Sequence, residues 1–429
     1  MAAMLKTALL LLVALGVLGP ERPLAAQTGA KEARAEAVRL NREGIGLLEA
    51  GQYREAVAVL EAARQRLPQN ESILKNLASA YTHLGVEYLN AGRYADARRA
   101  LDPAGALDPA GARITYYRGF LALKQGDYRE SARLLERSVA TDPDNLAAWE
   151  SLGHARYRLD ELEATLAAWR RVLEREPEGR GVLADCLARA RAELGFRRIA
   201  AVGRSRLFQV RLDGTRPGFE WVASEVLQFL EEGFNQVCAD LGFYPREGVT
   251  VVLYSDQDFE QATGAHHWVG GTFDGARIRI KVRDFSRQRA AVRRAVVHEL
   301  THTVVHQLAR GAPVPAWINE GIARYEEGIT REDADRTLRR LGGAAALFPL
   351  AKLERSFTHL SGTNDVQRAY AQSGSFTHFL VEMKSPRGVG RFLERLGDPP
   401  VGGAEAAFRE VFGLGLDEAM ARWRATLGE

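Results

Sequence analysis

Apolar side chains recur every three or four positions through most of residues 37–196, as amphipathic helices require. The clearest runs are Ala56, Val57, Leu60 and Ala63, and later Leu134, Leu135 and Val139. Glycine and proline recur in this pattern at regular intervals. Glycine lets paired helices approach closely, whereas proline cannot continue a helix, so the pattern predicts many short helices that pack in pairs.

The glycine, tyrosine and proline positions form an internal repeat. Gly44, Gly51, Tyr53 and Pro68 recur as Gly85, Gly92, Tyr94 and Pro109, then as Gly119, Gly126, Tyr128 and Pro143. A fourth copy keeps Gly153 and Pro177, and the last three copies are 34 residues apart. A 34-residue period with this pattern resembles the tetratricopeptide repeat.

The resemblance predicts four repeats at residues 37–179, followed by a capping helix and linker at 180–199. Seven additional residues, about 71–77, are expected to lengthen the first helix of repeat two. No repeat buries its apolar stripe alone, so the copies should stack into an all-α solenoid with a concave face. That face is either a groove for a peptide or protein partner or part of a rigid spacer.

The pattern changes after residue 200. Alternating positions predict a strand at 204–212, a short strand at 249–254, and a pair of strands within 271–282 meeting at Asp274-Gly275. Helical periodicity predicts helices at 219–241, about 286–310 and 317–327. We therefore predict a multidomain protein, in which an α+β domain at residues 200–429 follows the solenoid.

The N-terminus has the pattern of a secretory signal peptide. Lys6 precedes an apolar run from Ala8 to Gly19, which is too short to span a bilayer. Leu24-Ala25-Ala26 offers a cleavage site, so we predict a signal peptide at residues 1–26 and a secreted or periplasmic protein. An uncleaved N-terminal anchor is the alternative. No later apolar stretch is long enough for a membrane span, so none is expected in the mature chain.

Composition excludes several classes of protein. Lys and Arg total 58 and Asp and Glu total 55, a net charge of +3 that gives no case for nucleic acid as a partner. Cys186 and Cys238 are the only cysteines, which excludes a disulfide scaffold and a cysteine zinc cluster. The sequence leaves open whether the two form a disulfide.

The predicted long helix carries the sequence His298-Glu299-Leu300-Thr301-His302. Histidines four residues apart are separated by about 40° around a helix, so both can reach one metal ion. Glu299 is rotated by about 100° and lies beside that metal, where it can act as a general base. This is the pattern of a zinc-peptidase helix.

A second motif, Trp317-Ile318-Asn319-Glu320-Gly321, follows on the next predicted helix. Together the two motifs resemble the gluzincin metallopeptidases, and closely the peptidase-MA-like domains that are often fused to tetratricopeptide repeats. The resemblance implies Zn²⁺ held by His298, His302 and Glu320. It also implies that Glu299 is the catalytic base.

Some positions depart from the aminopeptidase branch of that family. The stretch from Val269 to Asp274 lacks the glutamate that binds a substrate's free amine there, so aminopeptidase specificity is not implied. Tyr370 matches the tyrosine that stabilises the oxyanion, with Tyr325 as the weaker candidate. Glu327 could orient a zinc-bound histidine or be a solvated carboxylate. His306 is expected to have a core or surface role and not to bind the metal.

These features predict a secreted or periplasmic zinc metallopeptidase whose substrate is a peptide or protein. Two alternatives remain at this stage. The chain could be an adaptor whose peptidase-like domain is inactive, or a hydrolase acting on other acyl groups.

Overall fold

The computed structural model describes residues 24–178, 180–197, 199–215, 218–245, 248–263, 271–274, 277–357, 360, 362–398 and 403–427. Most of the predicted signal peptide lies outside these residues, and only Leu24–Ala26 fall within them, at the start of the first helix. Contacts divide the chain into two compact units. One comprises Met1–Leu84 with Pro103–Pro109, and the other comprises Gly85–Asp102 with Ala110–Glu429.

The first unit contains the helices of the first repeat and most of the helix that follows. These helices are α1 (Leu24–Glu49), α2 (Tyr53–Arg66) and α3 (Glu71–Asn90). Helix α3 has 20 residues, which confirms the predicted lengthening of repeat two. A Cβ on Gly44 would lie 2.5 Å from Leu60 Cγ, so this glycine lets α1 and α2 approach closely.

The second unit begins with the later repeats. Its helices are α4 (Tyr94–Leu107, shared with the first unit), α5 (Ala112–Lys124), α6 (Tyr128–Thr141), α7 (Leu146–Arg158), α8 (Leu162–Arg175) and α9 (Gly181–Arg197). Gly119 meets Leu135 as Gly44 meets Leu60, which explains why a glycine recurs at this place. The capping helix predicted within residues 180–199 is confirmed as α9.

A five-stranded sheet follows, in the order β1-β2-β3-β5-β4. Its strands are β1 (Ala200–Arg204), β2 (Phe208–Asp213), β3 (Val249–Tyr254), β4 (Gly271–Phe273) and β5 (Arg277–Lys281). Strands β2, β3 and β5 are parallel, whereas β1 and β4 run antiparallel at the edges. The single strand predicted at 204–212 is wrong. Ser205 donates its amide proton to the Phe208 carbonyl across a turn, which divides this segment between two strands.

Helices complete the domain. They are α10 (Phe219–Leu241), α11 (Asp256–Thr263), α12 (Phe285–Leu308), α13 (Ala316–Glu326), α14 (Arg331–Arg340), α15 (Thr363–Gly397), α16 (Gly403–Phe412) and α17 (Leu416–Thr426). Two single 3₁₀ turns lie between α14 and α15. Helical repeats followed by an α+β domain confirm the predicted fold class.

Helix α12 lies between two hydrophobic cores. Val296 and Leu300 pack with α10 and the sheet, whereas Val304 and Leu308 pack with α13 and α15. A helix buried on two sides is held firmly, so the side chains on its remaining face have fixed positions.

Two further points concern the described residues alone. No helix among them is both long and apolar enough to cross a membrane. Cys186 and Cys238 are both free thiols.

Candidate active site

Helix α12 presents His298 and His302 on the face that its cores leave open. Asp284 caps the N-terminus of this helix, since its side chain accepts a hydrogen bond from the Arg287 amide. The two imidazole rings are 4.7 Å apart and perpendicular, and their side chains are 15% and 12% exposed. Both rings are therefore held close together and remain accessible.

Helix α13 brings Glu320 to the same place. Glu320 Oε2 lies 3.3 Å from His298 Nε2 and 3.6 Å from His302 Nε2, and the two Nε2 atoms are 3.1 Å apart. The structure thus brings together the three residues that the sequence predicts as metal ligands.

The three donor atoms fit a zinc ion. With zinc bonds of about 2.0–2.1 Å, neighbouring ligands of a tetrahedral site are about 3.3–3.4 Å apart, close to the distances found here. Glu320 Oε2 is buried and accepts no hydrogen bond from the described residues, so it is available for a metal. Two histidines and one carboxylate are the donor set of catalytic zinc in several hydrolases.

Glu327 contacts the other side of His298. Its Oε1 is hydrogen-bonded to His298 Nδ1, and its Oε2 lies 3.4 Å from Arg324. The Glu327 side chain is only 11% exposed, so it is not a solvated carboxylate. Of the two sequence interpretations, the structure supports the orienting contact. A carboxylate at Nδ1 fixes the ring so that Nε2 faces the ligand site.

The surrounding charges shift the pKa values of His298 and Glu320. Burial opposes the protonation of His298, but the carboxylates of Glu320 and Glu327 outweigh it and raise the pKa of His298 to about 10. Burial also opposes the ionisation of Glu320, yet the two histidines hold the pKa of Glu320 well below its usual range. The site therefore strongly favours positive charge beside Glu320, as a metal ion would supply.

Glu299 is more buried than His298, His302 and Glu320. It is 7% exposed, and burial raises its pKa above the usual value, although His298 and His302 oppose that shift. A Cβ on Gly271 would lie 3.0 Å from Glu299 Oε1, so this glycine lets edge strand β4 pass directly beside the carboxylate. A raised pKa suits a group that both accepts and returns a proton.

Tyr370 lines the same cleft from α15. Burial raises the pKa of its phenol, and the charges of Glu320 and Glu299 raise it further, so it remains a proton donor. Its ring is held edge-on by Phe357 at 5.2 Å. Tyr325, the weaker candidate, packs against His378 instead, with ring centroids 5.0 Å apart.

The cleft around these residues has a volume of about 1570 Å³. Strand β4, α12, α13, α15 and the loop after α12 form one wall. The other wall comes from the repeats and includes Tyr116, Phe120, Lys124, Tyr128, His154 and Arg158. Sequence analysis did not find this second wall. His306 also lines the cleft and has a packing role, with its Nε2 3.4 Å from the Tyr128 hydroxyl.

Comparison with family models gives two matches. The Peptidase MA superfamily model matches residues 230–429, which include α12 and α13. The tetratricopeptide repeat model matches residues 41–85, 84–145 and 121–165. The order predicted from the sequence, repeats and then a peptidase-like domain, is confirmed.

Solved structures give weaker likenesses. MamA MSR-1 C2 is 21% identical, with 37% of this chain and 87% of that chain covered and a TM-score of 0.30. PilF of Pseudomonas aeruginosa is 20% identical, with 40% and 71% covered and a TM-score of 0.27. TTC0263, a thermophilic repeat protein of Thermus thermophilus, is 20% identical, with 36% and 98% covered and a TM-score of 0.21. At these TM-scores the likenesses do not bear on fold or function.

Curated proteins give no match to the chain. The two family models, together with the geometry of the site, decide the classification. Residues 230–429 form a Peptidase MA superfamily domain, and tetratricopeptide repeats at residues 41–165 precede it.

Proposed function

We propose that this protein is a zinc-dependent metallopeptidase of the gluzincin type that hydrolyses peptide bonds. The observation that carries the proposal is the convergence of His298, His302 and Glu320 beside the buried carboxyl of Glu299. His298, His302 and Glu320 would hold the ion. When bound, zinc supplies a Lewis acid and lowers the pKa of a bound water to about 7.

The residues of the chain perform the proton transfers and the positioning. Glu299 accepts a proton from the attacking water and can return it to the leaving amine, which its raised pKa favours. Tyr370 donates a hydrogen bond to the developing oxyanion. The edge strand β4 offers its backbone to an extended substrate, which would add to the sheet as a further strand.

We also propose that the protein acts outside the cytoplasm. The support is the sequence pattern of residues 1–26, with Lys6 before a short apolar run and Leu24-Ala25-Ala26 after it. Cell fractionation followed by N-terminal sequencing checks this proposal. The protein is expected outside the cytoplasm with its N-terminus at Gln27, and recovery from the cytoplasmic fraction alone would contradict the proposal.

Metal content tests the site directly. Elemental mass spectrometry should find one zinc per chain in the purified protein and none in His298→Ala. His306→Ala is the matched control, because His306 lies on the same helix but not among the ligands. No zinc in wild-type protein prepared without chelator would contradict the proposal and favour the adaptor alternative.

The role of Glu299 needs a separate test. Glu299→Gln should keep the zinc and lower the hydrolysis of unfolded casein by roughly 10²- to 10⁴-fold, because general base catalysis is lost. Full hydrolysis by Glu299→Gln would show that this residue is not the base.

A further inference from the structure

The wall of the cleft that the repeats provide faces the residues of the proposed chemistry. We propose that repeats three and four belong to the substrate-binding site, where α5 binds a large apolar side chain of an extended polypeptide. This inference rests on the proposed function and names the class of substrate. It also assigns to Tyr116 and Phe120 a role in specificity.

Helix α5 has an apolar stripe along the cleft. Tyr116, Phe120 and Leu123 are spaced by four and three residues, so they share one face of the helix, and all three line the cleft. The Tyr116 and Phe120 rings stack with centroids 6.0 Å apart, and both residues are only partly buried. A partly open pair of aromatic rings in the same cleft as Glu299 and Tyr370 is suited to an apolar substrate side chain.

This wall is fixed close to the catalytic helix. A Cβ on Gly311 would lie 2.2 Å from the Lys124 carbonyl oxygen, so the loop after α12 touches the backbone at the end of α5. The Tyr128 hydroxyl lies 3.4 Å from His306 Nε2, one helical turn beyond His302. Helix α5 therefore has a fixed distance from the metal ligands.

A buried cluster of charges holds the last repeat against the sheet. Arg277 and Arg279 of β5 are 2% and 3% exposed, and Glu193 of α9, 5% exposed, pairs with both. Arg277 also binds Asp160 at 2.7 Å, and Arg279 donates to the Tyr157 hydroxyl at 2.7 Å. These ion pairs connect the last repeat and α9 to strand β5, and the later repeats belong to the same compact unit as the sheet. The repeats that line the cleft are thus part of the site and do not act as a hinged spacer.

The size and charge of the cleft indicate the occupant. A volume of about 1570 Å³ exceeds the roughly 300–1,000 Å³ usual for a small-molecule pocket, so the cleft accommodates several residues of a peptide. Two carboxylates that line the cleft already have partners, since Glu150 of the repeats pairs with Arg180 at 2.6 Å and Asp274, after β4, pairs with Arg158 at 2.9 Å. The wall therefore favours apolar side chains over basic ones.

Peptide binding tests the inference without requiring turnover. Four pools of fluorescein-labelled ten-residue peptides, differing only in a central Phe, Leu, Asp or Lys, would be titrated into full-length Glu299→Gln protein. We expect the Phe and Leu pools to bind more tightly, by fluorescence anisotropy. Adding Tyr116→Ala or Phe120→Ala should weaken binding of those two pools about tenfold, and should remove the preference.

The chain supplies a matched control. Tyr117 neighbours Tyr116 on α5, is also partly buried, and packs in the same cluster as Phe120, but it is not among the residues that line the cleft. Tyr117→Ala should leave the peptide preference unchanged. If an alanine variant does not fold, as judged by circular dichroism, Ala147→Arg replaces it. Ala147 is exposed on α7 and lines the cleft, so the arginine should obstruct binding without disturbing a core.

The outcomes separate this inference from the proposed function. Equal affinities and preferences in all variants, while wild type holds zinc and cleaves casein, would overturn the inference alone. A preference that disappears in Tyr116→Ala and Phe120→Ala supports the inference, even if wild type proves to hold no zinc.

Discussion

At the scale of the residue, His298 depends on a neighbour that is not itself a ligand. Glu327 is hydrogen-bonded to Nδ1 and leaves Nε2 directed at Glu320 and His302. The spacing of seven residues between Glu320 and Glu327 was the sequence signal, since it places both on one face of α13. The sequence could not choose between contact and solvation, because the contact joins residues 29 positions apart on different helices.

Replacing Glu327 should therefore weaken metal binding while leaving all three ligands in place. We expect Glu327→Gln to lower zinc affinity roughly 10- to 100-fold, because His298 loses its orienting carboxylate. Competition with a chromogenic chelator at pH 7 measures the affinity. Glu326→Gln is the matched control, since this neighbouring carboxyl faces Gln236 instead. Equal affinities in the two variants would contradict the orienting role.

Glu326 is itself a source of pH-dependent stability. It is 3% exposed, and burial, with Asp240 nearby, raises its pKa from 4.5 to about 8. Between pH 4.5 and 8 the folded chain keeps this proton while the unfolded chain has lost it. The free energy of unfolding must then fall as the pH rises through this window.

Glu326→Gln should remove this fall in the free energy of unfolding. Glutamine is neutral and can still accept a hydrogen bond from Gln236, whose Nε2 lies 3.0 Å from Glu326 Oε2. We expect little change in Tm at pH 5. At pH 9 the free energy of unfolding should rise by an amount on the order of a few kcal/mol, and Tm should rise with it. Glu231→Gln, on the exposed side of α10, serves as the control and should change Tm little at either pH. A gain that is equal at both pH values would contradict this account.

At the scale of the element, the position of Glu320 depends on how closely α13 approaches α15. A Cβ on Gly321 would lie 2.0 Å from Thr377 Oγ1 and 2.6 Å from the Ser373 carbonyl oxygen. The glycine of the Asn-Glu-Gly segment thus has a packing role. It lets α13 lie against the helix that carries Tyr370, so one contact positions both residues.

Gly321→Ala should force the two helices apart. We expect a loss of about 1–3 kcal/mol in the free energy of unfolding, together with weaker zinc binding, because Glu320 moves away from the histidines. Urea denaturation and metal titration measure the two effects. Gly374→Ala is the control on the same helix pair, because its Cβ would meet Arg324 Cβ at an ordinary 3.6 Å. That variant should be neutral or slightly more stable, and equal losses in both would contradict the packing account.

The helices and strands that the sequence predicted in this domain, apart from the strand at 204–212, lie within two residues of their observed bounds, whereas α11 and α14–α17 were not predicted. Strand β3 lies at the predicted residues 249–254, and α12 at 285–308 against the predicted 286–310. Periodicity is a local signal, so long regular elements are predicted well. The hairpin of β1 and β2 was missed because its turn, Ser205-Arg206-Leu207, lacks the glycine, asparagine or aspartate that marks most turns.

At the scale of the whole molecule, the sequence predicted the order of the parts but not the second wall of the cleft. Tyr128 and His306 are 178 residues apart in the chain, and no periodicity indicates that they meet. Arg277 and Arg279 are a similar case. Two arginines at alternate positions of a short strand usually indicate that this face of the strand is exposed to solvent. Here both side chains are buried and pair with Glu193.

Glu193→Ala tests how strongly the last repeat is held to the sheet. Removing one partner of a buried ion cluster leaves the others uncompensated, so we expect a loss of about 3–5 kcal/mol in the free energy of unfolding. Glu418→Ala breaks an exposed pair with Arg422 and should cost less than about 1 kcal/mol. Denaturant unfolding measures both. A small loss for Glu193→Ala would mean that the cluster does not hold these elements together.

The charge cluster also limits how the protein can be divided. A fragment cut at residue 199, between α9 and the sheet, would contain every residue of the proposed chemistry. It would also expose the guanidinium groups of Arg277 and Arg279 without Glu193 and Asp160, and its cleft would be open on one side. The smallest independently folding unit that retains substrate selectivity should therefore begin ahead of α5, well before the first strand of the peptidase sheet.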